Sequence, residues 1–168
     1  MKTITITDQA EIAAIIARTP YCTLALTGLD GHPYAIPMNF SYIPAAEAGN
    51  AHGTFYLHSG PHGSKVEMLR AHPEVCLTLT TGHELVHMHR QVACSYSMKS
   101  QSVVARGTAI AIEDEAEKRE ALMRMMRHFG VEQDCRPIAE PAIRNVAIWR
   151  VEADNLSCRS FGLRPSEL

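Results

Sequence analysis

The sequence predicts a mainly β fold, a β-barrel with a few helices packed on its outside. Short runs whose side chains alternate with period two recur at close spacing through the 168 residues. Only three stretches carry helical spacing. No internal repeat or low-complexity segment interrupts the series, and the length suits one domain spanning residues 1–168. Strands that numerous, with peripheral helices, are what a small barrel requires.

The elements follow in order. Asp8, with Glu11 three residues on, forms a capping-box pattern, and Ile12, Ile15 and Ile16 then recur at helical spacing, so 8–18 is predicted helical. Tyr21–Thr27 alternates as a strand, Gly28-Leu29-Asp30-Gly31 is a turn, and Pro33–Tyr42 is the hairpin partner. Pro37 within that run cannot donate to a ladder, which asks for an edge, a bulge or a backbone turned toward something else. Ala45–Gly53 is a small-residue loop and Thr54–His58 the next strand. A glycine-bearing loop, Ser59 to Gly63, leads into a helix over Ser64–Ala71. Val75–Thr81, Leu85–His89 and Val103–Ile112 are further strands, with Gly107 a bulge position. Asp114 and Glu117 open a capped helix bearing an apolar stripe of Leu122, Met125, Met126 and Phe129. Ala142–Val151 is the last strand, with Trp149 anchoring the core or an interface.

Composition narrows the function. Apolar residues make up 46% of the chain, and the formal net charge is −2, from 16 basic and 18 acidic side chains. No basic stretch suits a nucleic-acid backbone. The opening run, Met1 to Thr7, is too polar and short for a signal-peptide core, and no apolar run approaches the ~18–20 residues that span a bilayer. The five cysteines are widely separated, with no C-x-x-C pair, which speaks against a disulfide framework or structural zinc. A cytoplasmic protein with neither membrane nor nucleic-acid partner is expected.

The segment richest in chemistry is Phe55 to Lys65. A strand ends, glycines free the backbone, and a helix begins at Ser64 with Lys65 in its first turn. A helix N-terminus attracts anions, and an ammonium there adds a full charge. An ordinary glycine-rich turn with a serine cap would have the same sequence, so both readings stand on the residues alone.

The run Tyr56-Leu57-His58 … Gly63-Ser64-Lys65 … Leu69 … His72-Pro73-Glu74-Val75-Cys76 resembles the FMN-phosphate segment of the pyridoxamine-phosphate-oxidase-like superfamily, and within it the branch of Nim-type nitroimidazole reductases. The likeness extends upstream through Gly31 to Phe40 and downstream through Met98 to Val104 and Asp114 to Lys118, covering roughly residues 8 to 155. No one motif is specific; the ordered set is. The resemblance implies a six-stranded antiparallel split β-barrel that holds FMN at a homodimer interface. Pro37, Met38, Asn39 and Phe40 would line the isoalloxazine, mainly through main-chain groups. His58 and Ser59 would lie beside the flavin and its ribityl-phosphate chain. Lys65 would pair with the phosphate, next to Ser64. Gln101 and Ser102 would reach across from the partner chain. This sequence departs from the family at Ser100, where an aromatic residue is frequent, and at Leu156-Ser157-Cys158-Arg159, where a Gly-Lys pair is frequent and Arg159 is the available cation.

An FMN-dependent oxidoreductase passing electrons from NADH or NADPH to a small acceptor is the function this implies, with nitroaromatic reduction its most concrete form. The flavin carries such chemistry, so the lack of a nucleophile–base–acid set is no obstacle. His58 is the candidate catalytic residue, an imidazole placed to donate a proton. The alternative is a non-catalytic flavin- or haem-binding store or sensor. Pyridoxamine-phosphate oxidation itself is disfavoured, because no arginine-rich set awaits a second phosphorylated ligand. His83, His87 and His89 form a cluster in which His87 and His89 share a strand face; without matching carboxylate or cysteine spacing, a loose surface patch is the simpler reading. Cys76 and Cys94, in apolar strand surroundings, are expected to pack as small hydrophobes.

Overall fold

A computed structural model describes residues 2–131 and 138–162. Its elements are β1 (Thr3–Ile6), α1 (Gln9–Ala17), β2 (Cys22–Thr27), β3 (Pro33–Met38), β4 (Phe40–Ile43), α2 (Ala45–Ala48), β5 (Thr54–Ser59), α3 (Ser64–Ala71), β6 (Glu74–His87), β7 (Tyr96–Ile112), α4 (Glu115–His128), α5 (Glu140–Arg144) and β8 (Ala147–Phe161). All pairings are antiparallel, in the order β3-β2-β6-β7-β8-β5-β4, with β1 on β8.

The closure of this sheet depends on one residue. β3 and β4 lie at opposite ends of the strand order, yet only Asn39 separates them in the chain. Counted as one continuous strand, β3–Asn39–β4 joins β2, β6, β7, β8 and β5 in a ring of six, and β1 is an addition to β8. The covalent chain crosses the corner that ladder hydrogen bonds leave open, which makes the barrel a split one. Pro37 fits because β3 pairs with β2 alone, so a residue lacking an N–H sits at a sheet edge. The single hairpin strand expected over Pro33–Tyr42 is therefore two, since pairing with β2 ends at Met38 and pairing with β5 begins at Phe40.

Alternation fills the barrel. Cys22, Leu24 and Leu26 are buried on β2, and Phe40, Phe55, Leu57, Leu77, Leu79, Val103, Trp149 and Val151 join them. Each large apolar side chain so enclosed stabilises the fold by roughly 1.5–3 kcal/mol. A second cluster of Tyr56, Ile112, Ala121, Met125 and Ile148 seats α4 on the outer face. The two acidic caps form as their sequences require: Asp8 accepts from the Glu11 N–H and Asp114 from the Glu117 N–H, each at 2.8 Å.

Several boundaries differ from the sequence expectation. The two strands expected over 75–89 are one strand, β6, which continues through an irregularity at Gly82 (φ 66°). β7 begins at Tyr96, well before Val103, because it pairs with the whole of that longer β6. The last strand starts at Ala147 and runs to Phe161, whereas the expected start at Ala142 falls in α5. α2 occupies part of the loop 45–53. Of the methionine-rich stripe on α4, Met125 is buried, Met126 is half-buried and Phe129 is exposed. Gly107 does mark a bulge: Arg106 faces Asn155 and Gly107 faces Ala153, leaving Asp154 as the extra residue on β8. A Cβ at Gly107 would run into the Glu152 carbonyl oxygen.

Candidate cofactor site at the corner of β5 and α3

The site is built where β5 ends and α3 begins. Gly63 precedes the helix at φ 114°, a conformation that disfavours any side chain, and no side chain caps α3. The Val66 and Glu67 N–H groups turn back to the Gly63 carbonyl at 2.9 and 3.2 Å. Helix geometry leaves the N–H groups of Ser64 and Lys65 without intrahelical acceptors. Two backbone donors and the positive end of the helix dipole thus meet at one point.

Lys65 adds its charge there. Its half-buried ammonium donates to the Met38 Sδ at 3.1 Å, a weak acceptor for a full positive charge. Among the described residues it has no carboxylate within ion-pair distance. Burial lowers its pKa from the ordinary lysine value. His58, half-buried near the end of β5, is lowered too, first by burial and then by the Lys65 charge. The imidazole is therefore neutral at neutral pH, and the two groups share one electrostatic neighbourhood.

The split in the barrel lies at the same corner. Phe40 pairs with Leu57, and continuing that register by one residue sets Asn39 across from His58. Met38 is buried and Asn39 and Pro37 are exposed, so the backbone of 37–39 borders the corner with its outer side open. Phe40 instead turns inward, its ring 6.2 Å from Phe55 and 4.6 Å from His128. Ser59 donates to the Gly60 carbonyl at 2.9 Å, and Ser64 is exposed.

Gln101 and Ser102 lie elsewhere. They pair with Ser160 and Arg159 on β8, whereas His58 pairs with Ile148 of that strand. Round the barrel, Pro37 pairs with Thr23, Thr23 with Thr78 and Thr78 with Val104, so Gln101 and Ser102 stand about three strands, roughly 15–20 Å, from the corner and not beside it. Gln101 is only 1% exposed and accepts from the Arg18 guanidinium at 3.1 Å. Its side chain faces its own chain's interior, contrary to the expectation that it reaches outward; Ser102 is half-buried. Arg159 is exposed and pairs with Ser102 on the neighbouring strand. His83, His87 and His89 are exposed, and His87 stacks on Tyr96 at 5.1 Å. Cys94 is exposed in a short 3₁₀ turn over Ala93–Ser95, not within an apolar strand as expected. No helix among the described residues is long and apolar enough to cross a membrane.

Residues 8–160 match the family described as pyridoxamine 5'-phosphate oxidase. The chain belongs to that family. Among solved structures, it is similar to a candidate 5-nitroimidazole antibiotic resistance protein from Bacteroides thetaiotaomicron, with 42% identity and a TM-score of 0.78 over 95% of this chain and 88% of the other. It is also similar to the flavocytochrome Anf3 from Azotobacter vinelandii, at 25% identity and a TM-score of 0.73, covering 95% and 70% of the two chains. A third, the FAD- and haem-binding protein from Mycobacterium smegmatis, shares the fold at 20% identity and a TM-score of 0.74, over 96% of this chain and 75% of that one. No curated protein matches. Within this pyridoxamine 5'-phosphate oxidase family chain, the sequence-predicted residues Met38, Asn39, His58, Ser59, Ser64 and Lys65 gather at one corner, and Gln101 and Ser102 do not.

Proposed function

We propose that the protein is an FMN-dependent oxidoreductase that passes electrons from NADH or NADPH to a small acceptor, with nitroaromatic compounds the most concrete acceptor class. The observation that carries this reading is the Lys65 corner: a desolvated ammonium whose neighbour is a thioether, set against an uncapped helix terminus. That donor set suits a phosphate bearing close to two negative charges. Lys65, the Ser64 hydroxyl and the two free N–H groups would hold the phosphate, and the exposed backbone of Pro37 to Asn39 would border the ring system. When bound, FMN supplies reversible two-electron transfer. His58, held neutral, offers one donor and one acceptor nitrogen beside the site and can relay a proton to a reduced substrate. Ser102 of a second chain would complete the enclosure in a homodimer, because in its own chain it stands three strands away from Pro37. The similarity to a nitroimidazole-resistance protein supports the acceptor class, and the names of the two other relatives make non-catalytic flavin or haem binding the competing reading.

Absorption spectroscopy of purified protein, followed by anaerobic addition of NADH or NADPH, tests the proposal. A flavin spectrum that bleaches, and recovers on adding a nitroaromatic compound, is expected. A flavin that resists both donors, or a strong Soret band, would replace the enzyme by a binding protein.

A further inference from the structure

We infer a second anion site, for a phosphate-bearing ligand, in a cavity walled by the loop that precedes α3 and by the starts of α4 and β8. The cavity has a volume of about 210 Å³, and its wall includes His62, Arg70, Glu113, Lys118 and Arg144. Typical small-molecule pockets hold about 300–1,000 Å³, so this one accommodates a single group of a ligand and not a whole cofactor.

Lys118 is the strongest reason. It is buried, 9% exposed, and its ammonium donates to the Val146 carbonyl at 3.3 Å. It lies one turn into α4, close to the positive end of the helix, where a cation gains nothing from the dipole. A buried charge without an opposite partner is costly. Among the described residues no carboxylate lies within ion-pair distance of Lys118 or of Arg70, which reaches the same cavity from the last turn of α3. Arg144 is different: Glu115 at 3.0 Å and Glu140 at 3.8 Å already neutralise it. Glu113 is the carboxylate on the wall among the described residues. Two unpaired cations against one exposed acid leave a positive excess, and a carbonyl uses only one of the three ammonium donors. A tetrahedral dianion would take the remaining donors and a fork from Arg70.

Calorimetric titration of the full protein in saturating FMN, which would fill the Lys65 corner, with inorganic phosphate, pyrophosphate and ADP tests the inference. Saturable binding of phosphate is expected, weakened ten- to a hundredfold in K118M, as the loss of one charge-assisted contact implies. The R70Q variant, altered at an exposed position, should lose several-fold and carries the test if K118M fails to fold. Both variants should keep their FMN affinity, which separates the second site from the first. ADP binding more tightly than phosphate would identify a phosphate carried on a nucleotide; equal affinities would identify the free ion. Unchanged phosphate affinity in a folded K118M and in R70Q, or absence of saturable phosphate binding to the FMN-loaded protein, would each overturn the inference.

Discussion

The outer face of α4 and the corner at α3 treat positive charge in opposite ways. On α4, Arg119 is paired with Glu140, Arg124 with Glu47 and Glu120 at 2.7 and 2.9 Å, and Arg127 with Glu120 at 3.0 Å. Arg119 and Arg124 are half-buried and Arg127 is exposed, but their glutamate partners are all exposed, and such pairs contribute about 0–1 kcal/mol each. At the corner, Lys65 is half-buried, its pKa is lowered by burial, and it faces a thioether. A charge that is satisfied on the surface does ordinary solubility work; one that is desolvated and unsatisfied is held ready for something outside the chain. The contrast separates Lys65 from the three arginines Arg119, Arg124 and Arg127, which composition alone would rank equally.

The largest expected effect is on turnover. His58→Ala should fold and keep its flavin but lose about 10²-fold in rate, the usual cost of removing a proton-transfer group. Steady-state kinetics with a nitroaromatic acceptor measures it, and an unchanged rate would leave His58 a structural role. Next, Lys65→Ala should weaken FMN by about ten- to a hundredfold, one charge-assisted contact, while riboflavin, which has no phosphate, is barely affected. Lys65→Arg should be tolerated better, since the charge remains. Paired fluorescence titrations with the two flavins decide this; equal losses for both would mean that Lys65 only supports its loop.

A smaller effect concerns protonation. His58 titrates below 6.5 in the free protein because burial and Lys65 disfavour its cation. An anion at Lys65 would neutralise that repulsion, so the His58 midpoint followed by NMR should rise when FMN binds. The same depression works on stability: the folded state resists a proton that the unfolded chain accepts below 6.5. This contribution is complete above pH 6.5 and declines as pH falls toward the folded-state value. Denaturant titrations across that range should show wild type losing stability relative to His58→Gln as the pH falls. The smallest effect is on α4, where Arg124→Ala should cost at most about 1 kcal/mol and leave FMN affinity unchanged. A flavin defect there as large as that of Lys65→Ala would dissolve the contrast between the two regions.

Local chemistry was readable from the chain alone. Asp8 with Glu11 and Asp114 with Glu117 announced two helix starts, and Ser64–Ala71 has the bounds its sequence suggested, because caps and helical spacing act within a few residues. The candidate anion corner was likewise visible in Gly63-Ser64-Lys65. Gly107 marked its bulge, since no larger residue fits under the facing carbonyl. Family likeness supplied the barrel class and its number of strands. What only the tertiary structure decided depends on distant partners. The break at Asn39 exists because β2 and β5, far apart in sequence, compete for one continuous strand. The start of β8 was hidden because 142–144 are apolar enough for a strand but are taken by α5. Gln101 was misjudged because a polar side chain gives no hint that Arg18, 83 residues away, will hold it inside. Whether a lysine is satisfied by a carboxylate, a carbonyl or a sulfur is likewise settled by folding. Lys65 meets Met38 across 27 residues and Lys118 meets Val146 across 28. Charge is a property of the residue, but desolvation and pairing are properties of the assembled neighbourhood.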